Sequence, residues 1–222
     1  RVDFGVDWTV PTSVISAPAA GSWQASNFTV SVSDSDSGGS GLNICEYGVY
    51  SDPAGWTVPF GTARTCDSVP QITVGSTGNC RNTGSNKCQV QIYSRDAAGN
   101  PSATDMRAYS IDYTAPTVGA ISPASAIVNA ATTYSVSASD NSNVTYCVFN
   151  VDGVADGNMS VPASCGPSGC TATYGKTFTS AGSRTVKAIC GDAAGNYTTG
   201  SSTTVTVAEP TLTYPSNTWQ RL

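Results

Sequence analysis

The side chains able to do chemistry here are carboxylates, cysteines and aromatics, because the chain contains no histidine. That excludes a Ser-His-Asp or Cys-His nucleophile, an imidazole base and a His-ligated zinc. Asp34 and Asp36, in D-S-D-S-G-G-S-G, place two carboxylates two residues apart beside glycines. Such a stretch resembles the opening of an oxygen-ligand calcium loop. Asp96 heads a D-A-A-G-N turn and can approach from a neighbouring strand. Calcium on Asp34, Asp36 and Asp96 is the only cofactor this reading admits. The complete D-x-[DN]-x-[DN]-G-x5-E loop is absent, and the same residues also read as a solvated loop bonding its own backbone. A glycosidase needs two carboxylates converging in a cleft, whereas most Asp here fall in turns and junctions, and Glu46 and Glu209 are the sole glutamates. The D-S-G at 36–38 matches an aspartic-protease triplet in letters alone. No enzyme is expected. Trp56, in D-P-A-G-W-T-V-P, reads as an exposed loop aromatic able to stack on a sugar, while Trp8 reads as junction packing.

The eight cysteines fall into two sets, Cys45, Cys66, Cys80 and Cys88, then Cys147, Cys165, Cys170 and Cys190. Two zinc sites would call for paired C-x2-C knuckles; the spacings here are irregular, and only Cys165 and Cys170 are close. Disulfides are therefore expected, and with them an oxidising, extracellular or cell-surface location. Four N-x-[ST] sequons, at Asn27, Asn143, Asn158 and Asn196, are candidate glycosylation sites. A sequence pI of about 4.4 and ten Lys+Arg argue against nucleic acid as a partner. No apolar run reaches the roughly 18 residues of a membrane span.

The elements that must carry these residues come in a repeat. V-D-F-G-V-D-W-T-V-P-T at 2–12 returns as R-A-Y-S-I-D-Y-T-A-P-T at 107–117, and D-A-A-G-N at 96–100 returns at 192–196. Between them F-T-V-S-V-S-D at 28–34 matches T-Y-S-V-S-A-S-D at 133–140. Alternating, β-branched and aromatic runs begin near Phe28, Ile44, Cys88, Met106, Thr133, Val144, Arg184 and Ser202, separated by Gly, Asn, Asp and Pro turns. Helical periodicity is missing throughout. The fold class expected is all-β, two tandem antiparallel β-sandwiches. The boundaries are 1–7, a strand resembling the end of a preceding repeat; 8–113, the first domain; 114–208, the second; and 209–222, a tail or the start of a further repeat. The chain is thus expected to be a slice or processed part of a longer tandem array.

D-A-A-G-N after an alternating strand, S-D-x-x-S-G before a central one and a D-x-T-x-P-T junction resemble the Ig-like repeats of large bacterial and archaeal surface proteins. That resemblance implies a non-enzymatic structural subunit or slice of a surface filament, stalk or S-layer-like array, with an adhesin or a carbohydrate-binding accessory module of a secreted protein as the alternative. It implies partners that are copies of the chain or adjacent repeats, with glycans under the alternative. In an Ig-like sheet the third and sixth strands are neighbours, which favours Cys147–Cys190; Ser94 holds the place of Cys190 in the first repeat. Cys165–Cys170, Cys45–Cys66 and Cys80–Cys88 complete the favoured set, although each domain allows three pairings. The strand at 2–7 could complete the sheet of an adjacent subunit by strand addition, a contact that propagates into a fibre. An isopeptide bond would need a buried lysine, for which Lys176 and Lys187 lie on expected strands, but Lys187, between Val186 and Ala188, is expected to face solvent.

Overall fold

The computed structural model describes residues 5–37 and 39–211. They form sixteen strands and no helix, in two units, one of described residues up to 115 together with 193–196, the other 116–192 with 197–211. Each unit is an Ig-like β-sandwich with its own core and its own two disulfides. Alternation of β-branched with small polar residues produces this, since successive side chains of a strand face opposite sides.

In the first unit β1 (Thr12–Ala17) pairs with β3 (Ser31–Ser35) to form one sheet. The other runs in the order β2 (Trp23–Gln24), β7 (Asp105–Ile111), β6 (Gly84–Asp96), β4 (Leu42–Ser51), β5 (Gly55–Arg64). All ladders are antiparallel except the short β2–β7 pair, which is parallel. Tyr109, Ile92, Val90, Val49, Ile15 and Ile72 are fully buried between the sheets. Phe28 packs edge-on against Tyr109, ring centroids 5.0 Å apart.

The second unit has β10 (Ala131–Ser139) between β13 (Cys170–Thr177) and β8 (Thr117–Val118). Opposite it, β12 (Val154–Asn158), β11 (Val144–Val151), β14 (Gly182–Asp192), β16 (Thr203–Ala208) and β9 (Ser125–Ile127) follow one another, with β15 (Tyr197–Thr199) beside β14. The β16–β9 pair is again parallel. Tyr134 and Phe149, 5.2 Å apart, lie at the centre of the core.

The two units solve one position differently. In the second, Cys147 on β11 lies directly opposite Cys190 on β14, and the two are bridged. Closing that loop is worth about 4 kcal/mol in the chain-entropy model. In the first, Cys45 faces Ser94 and bridges instead to Cys66, which ties down residues 65–80. That segment takes the place of the full strand β13, which pairs with β10 along its whole length in the second unit. In the first unit only an isolated bridge, Phe28 to Ile72, remains of such a ladder. Asp34 and Asp67 replace part of it: the Asp34 N–H donates to Asp67 Oδ1 at 2.7 Å, and the Asp67 N–H donates to Asp34 Oδ2 at 2.7 Å.

Candidate functional site

Asp34 and Asp36 do not act together. The strand period that would put them on one face stops at Ser35, where β3 ends. Asp34 points inward and is buried. The Arg64 guanidinium grips it with two bonds, Nη1 to Oδ2 at 2.5 Å and Nη2 to Oδ1 at 2.8 Å, and neither side chain reaches solvent. The Ser13 hydroxyl donates to Asp34 Oδ1 at 2.7 Å, and Ser94 Oγ lies 2.7 Å from Ser13 Oγ. Burial pushes the Asp34 carboxyl up, but the bonds from Arg64, Ser13 and Asp67 outweigh it and hold it below the usual carboxylate range. Asp34 is therefore spent on structure.

Asp36 and Asp96 do converge, and their third partner is Asp7. Carboxylate oxygens of Asp7, Asp36 and Asp96 lie within 4.8 Å of one another. Each is aimed by local backbone. Asp36 Oδ2 accepts the Gly41 N–H at 2.8 Å. Asp96 is buried and accepts the Asn100 N–H at 2.7 Å and the Asn100 Nδ2–H at 2.8 Å. Burial raises its carboxyl, and the Asn100 bonds, with the Gly99 N–H, outweigh that and lower it. Asp7 accepts the Thr9 N–H at 2.9 Å and the Ser40 N–H at 3.2 Å. The Ser40 side chain and the Thr9 N–H hold its carboxyl below the usual range. Three carboxylates from separate segments form a hard-oxygen cluster suited to a divalent cation.

The D-A-A-G-N turn also explains the junction motif. Asn100 Nδ2 donates to the carbonyls of Asp7 and Thr9 at 3.0 and 3.2 Å. In the turn 193–196, which groups with the first unit, Asn196 Nδ2 donates to the Asp112 carbonyl at 2.9 Å, and the Thr114 N–H donates to Asp112 Oδ1 at 3.0 Å. D-x-T is thus an Asx-type turn held by the Asn of a G-N turn, twice over. Of the strand expected at 2–7, residues 2–4 lie outside the described set, and 5–7 form no strand. Trp8 is exposed. Trp219 and the tail from 212 onward also lie outside the described residues.

Trp56 is not in a loop. It starts β5, opposite Tyr50 of β4, and is 45% exposed. Its ring lies 5.6 Å from that of Tyr50 and 6.0 Å from that of Phe60, and Phe60 lies 6.4 Å from Tyr93. Gly48 makes room: a Cβ there would sit 2.7 Å from Phe60 Cα and 2.8 Å from the Trp56 ring. This strip was not anticipated beyond Trp56. A glycine inside the alternating E-Y-G-V-Y was its one sequence signal, since glycine within a strand marks close approach.

Two sequon side chains are committed: the Asn143 Nδ2–H donates to the Ala163 carbonyl at 3.0 Å, and Asn196 to Asp112 as above. Asn27 uses only its carbonyl, which accepts the Val74 N–H. Asn158 is exposed at the end of β12. Lys176 pairs with Asp156 at 2.5 Å rather than with an amide, and Lys187 is half-buried.

No protein-family model and no curated protein matches the sequence. Among solved structures, the fibronectin(III)-like modules of Clostridium thermocellum CbhA match 89% of this chain and 95% of theirs at 16% identity, TM-score 0.51. The D00-D0 domain of intimin matches 88% of this chain and 99% of its own at 12% identity, TM-score 0.39. The first likeness shows the fold, a pair of Ig/fibronectin-III-like sandwiches.

Proposed function

We propose that this chain is a non-enzymatic extracellular structural module, one part of a surface filament, stalk or S-layer-like array of Ig-like domains. The observation that carries this reading is the double bracing of each unit. Each sandwich has a complete core and two disulfides, with no free cysteine among the described residues. Covalent bracing of domains that already have adequate cores suits an oxidising exterior with proteases. The repeated junction motif, held alike by Asn100 and Asn196, is the device a tandem array needs at every repeat. Its partners are then adjacent repeats or copies of itself.

The same reading gives calcium a place. We propose Asp7, Asp36 and Asp96, with Asp7 in the position first assigned to Asp34, as the donors for a divalent cation in the first unit. Calcium should raise the melting temperature of that unit, and Asp36→Asn should abolish the rise.

The experiment for the main reading is negative-stain microscopy of the protein isolated from its source, with and without reductant. Filaments or a regular surface lattice that lose order on reduction are the expected result. Dispersed single particles in both conditions overturn it. The alternative, a binding module, is favoured by one feature, the aromatic strip on β4, β5 and β6.

A further inference from the structure

The outer face of the five-stranded sheet in the first unit is built unlike its counterpart. Register places Glu46 beside Tyr93, Gly48 beside Gln91, and Gln91 beside Met106, all on the side away from the core. Trp56 and Phe60 of β5 lie over Gly48, 45% and 41% exposed, their planes 34° apart. Tyr50 and Tyr93 flank them edge-on. The Arg95 guanidinium covers Tyr93, 5.8 Å from its centroid, and donates to its hydroxyl at 2.8 Å. In the second unit Cys147 and Cys190 stand where Cys45 and Ser94 stand, so the places of Glu46, Gln91 and Tyr93 fall to Val148, Lys187 and Ile189. Its edge strand, V-A-D-G-N, carries no aromatic. The sandwich therefore folds without the strip, and the strip is not a requirement of the core.

We propose that this face docks an uncharged polysaccharide, with Trp56 and Phe60 as the stacking platform and Gln91 and Arg95 as hydrogen-bonding partners. Pyranose rings offer C–H faces to the electron-rich face of an aromatic ring and hydroxyls to amides and guanidinium groups. Charge selects the class. Glu46 and Arg95 cancel, and the remaining polar contribution at the centre is the neutral amide of Gln91, so neither a polyanion nor a polycation finds a complementary field. The inference rests on the reading of the chain as an extracellular non-catalytic module. It fails separately, because microscopy of the native assembly uses no added glycan.

The test is affinity electrophoresis and pull-down of the full chain on β-glucan, cellulose, xylan, mannan, chitin and starch. Retention on at least one, weakened tenfold or more by Trp56→Ala and by Phe60→Ala, is the expected result. Tyr197→Ala, an exposed tyrosine of the second unit, should bind like the parent. If Trp56→Ala fails to fold, Phe60→Ala and Gln91→Glu answer alone, since both sit on the exposed face. Retention on none of the six, or retention unchanged in the Phe60 and Gln91 variants, overturns the proposal. So does a concentration-dependent dimer that Phe60→Ala dissociates in the absence of glycan retention, which would make a second copy the occupant.

Discussion

Replacing Arg64 with methionine tests whether the buried Asp34–Arg64 pair braces the first unit. Met keeps the apolar stem but removes the guanidinium. The Asp34 carboxylate is then left without solvent and with only the Ser13 hydroxyl and the Asp67 N–H. Breaking a fully buried ion pair on one side costs about 3–5 kcal/mol. At about 4–8 °C per kcal/mol for a domain of this size, the melting temperature of the first unit should fall by roughly 12 °C or more. Asp34→Asn with Arg64→Met should cost less than the sum of the single changes, because no buried charge remains. The pH dependence follows from the sign of the shift. In the parent, Asp34 sits below its unfolded value of about 3.9, so its contribution is present above that pH and is lost as pH falls through the lower folded value. In Arg64→Met, burial loses its main counterweight, and the deficit should shrink in acid. Calorimetry from pH 2 to 7, with hydrogen exchange to assign the transition, reads both effects. A cost under about 1 kcal/mol, as for a surface pair, or an unchanged acid limb, would show that the Asp34–Arg64 pair is no brace of the first unit.

Tyr109 is fully buried, its hydroxyl has no hydrogen-bond partner, and burial raises its pKa to about 12. The unfolded chain therefore ionises first, so the first unit should lose about 2–3 kcal/mol between pH 10 and 12, and Tyr109→Phe should remove that loss while leaving neutral-pH stability equal or higher in urea titrations. Gly48→Ala should destabilise by about 1–3 kcal/mol through the clash with the Phe60 backbone, whereas Gly175→Ala, whose Cβ meets nothing within 4 Å, should be neutral or stabilising by about 0.5–1 kcal/mol. Passed through a glycosylating secretory pathway, the chain should carry glycans at Asn27 and Asn158 and none at Asn143 and Asn196, as peptide mass spectrometry would report.

The core strands were legible because burial on one face writes a period-two pattern, as in C-Q-V-Q-I-Y-S on β6 and T-Y-S-V-S-A on β10. β5 was not, since G-W-T-V-P-F-G-T-A-R interrupts that pattern with Pro59 and two glycines, which an edge strand tolerates. The parallel pairings of β2 with β7 and of β9 with β16 left no trace either, because strands of two or three residues are too short to show a period. Asp36 and Asp96 could be read as ligand types from their turn sequences. Asp7 was read as part of a junction, and only its hydrogen bonds to Thr9 and Ser40 show that the junction delivers a carboxylate. Asp34 misled because a two-residue spacing implies a shared face only while the strand continues. Phe60 stands four residues from Trp56, a spacing that joins the two only once β5 is known to be a strand, and Tyr93 lies too far along the chain for any spacing rule to add it.

The two sandwiches show how one position can be secured in two ways, and with what consequence. Where the second unit links adjacent strands covalently through Cys147–Cys190, the first has the hydroxyls of Ser94 and Ser13 leading to the Asp34–Arg64 pair. Arg64 is the last residue of β5, and its Nε donates to the Glu46 carbonyl at 3.1 Å. The polar network thus fastens the end of an edge strand that runs ten residues, against five for β12 in the second unit. A longer, anchored edge strand is what presents Trp56 and Phe60 side by side over Gly48. The bridge of the second unit and the polar network of the first thus secure the same position, and the ion pair of that network also holds the strand that carries the rings. On this argument, Arg64→Met should loosen the β5 edge and weaken glycan retention before it unfolds the sandwich. Retention unchanged in a variant whose β5 amides exchange freely would separate the two.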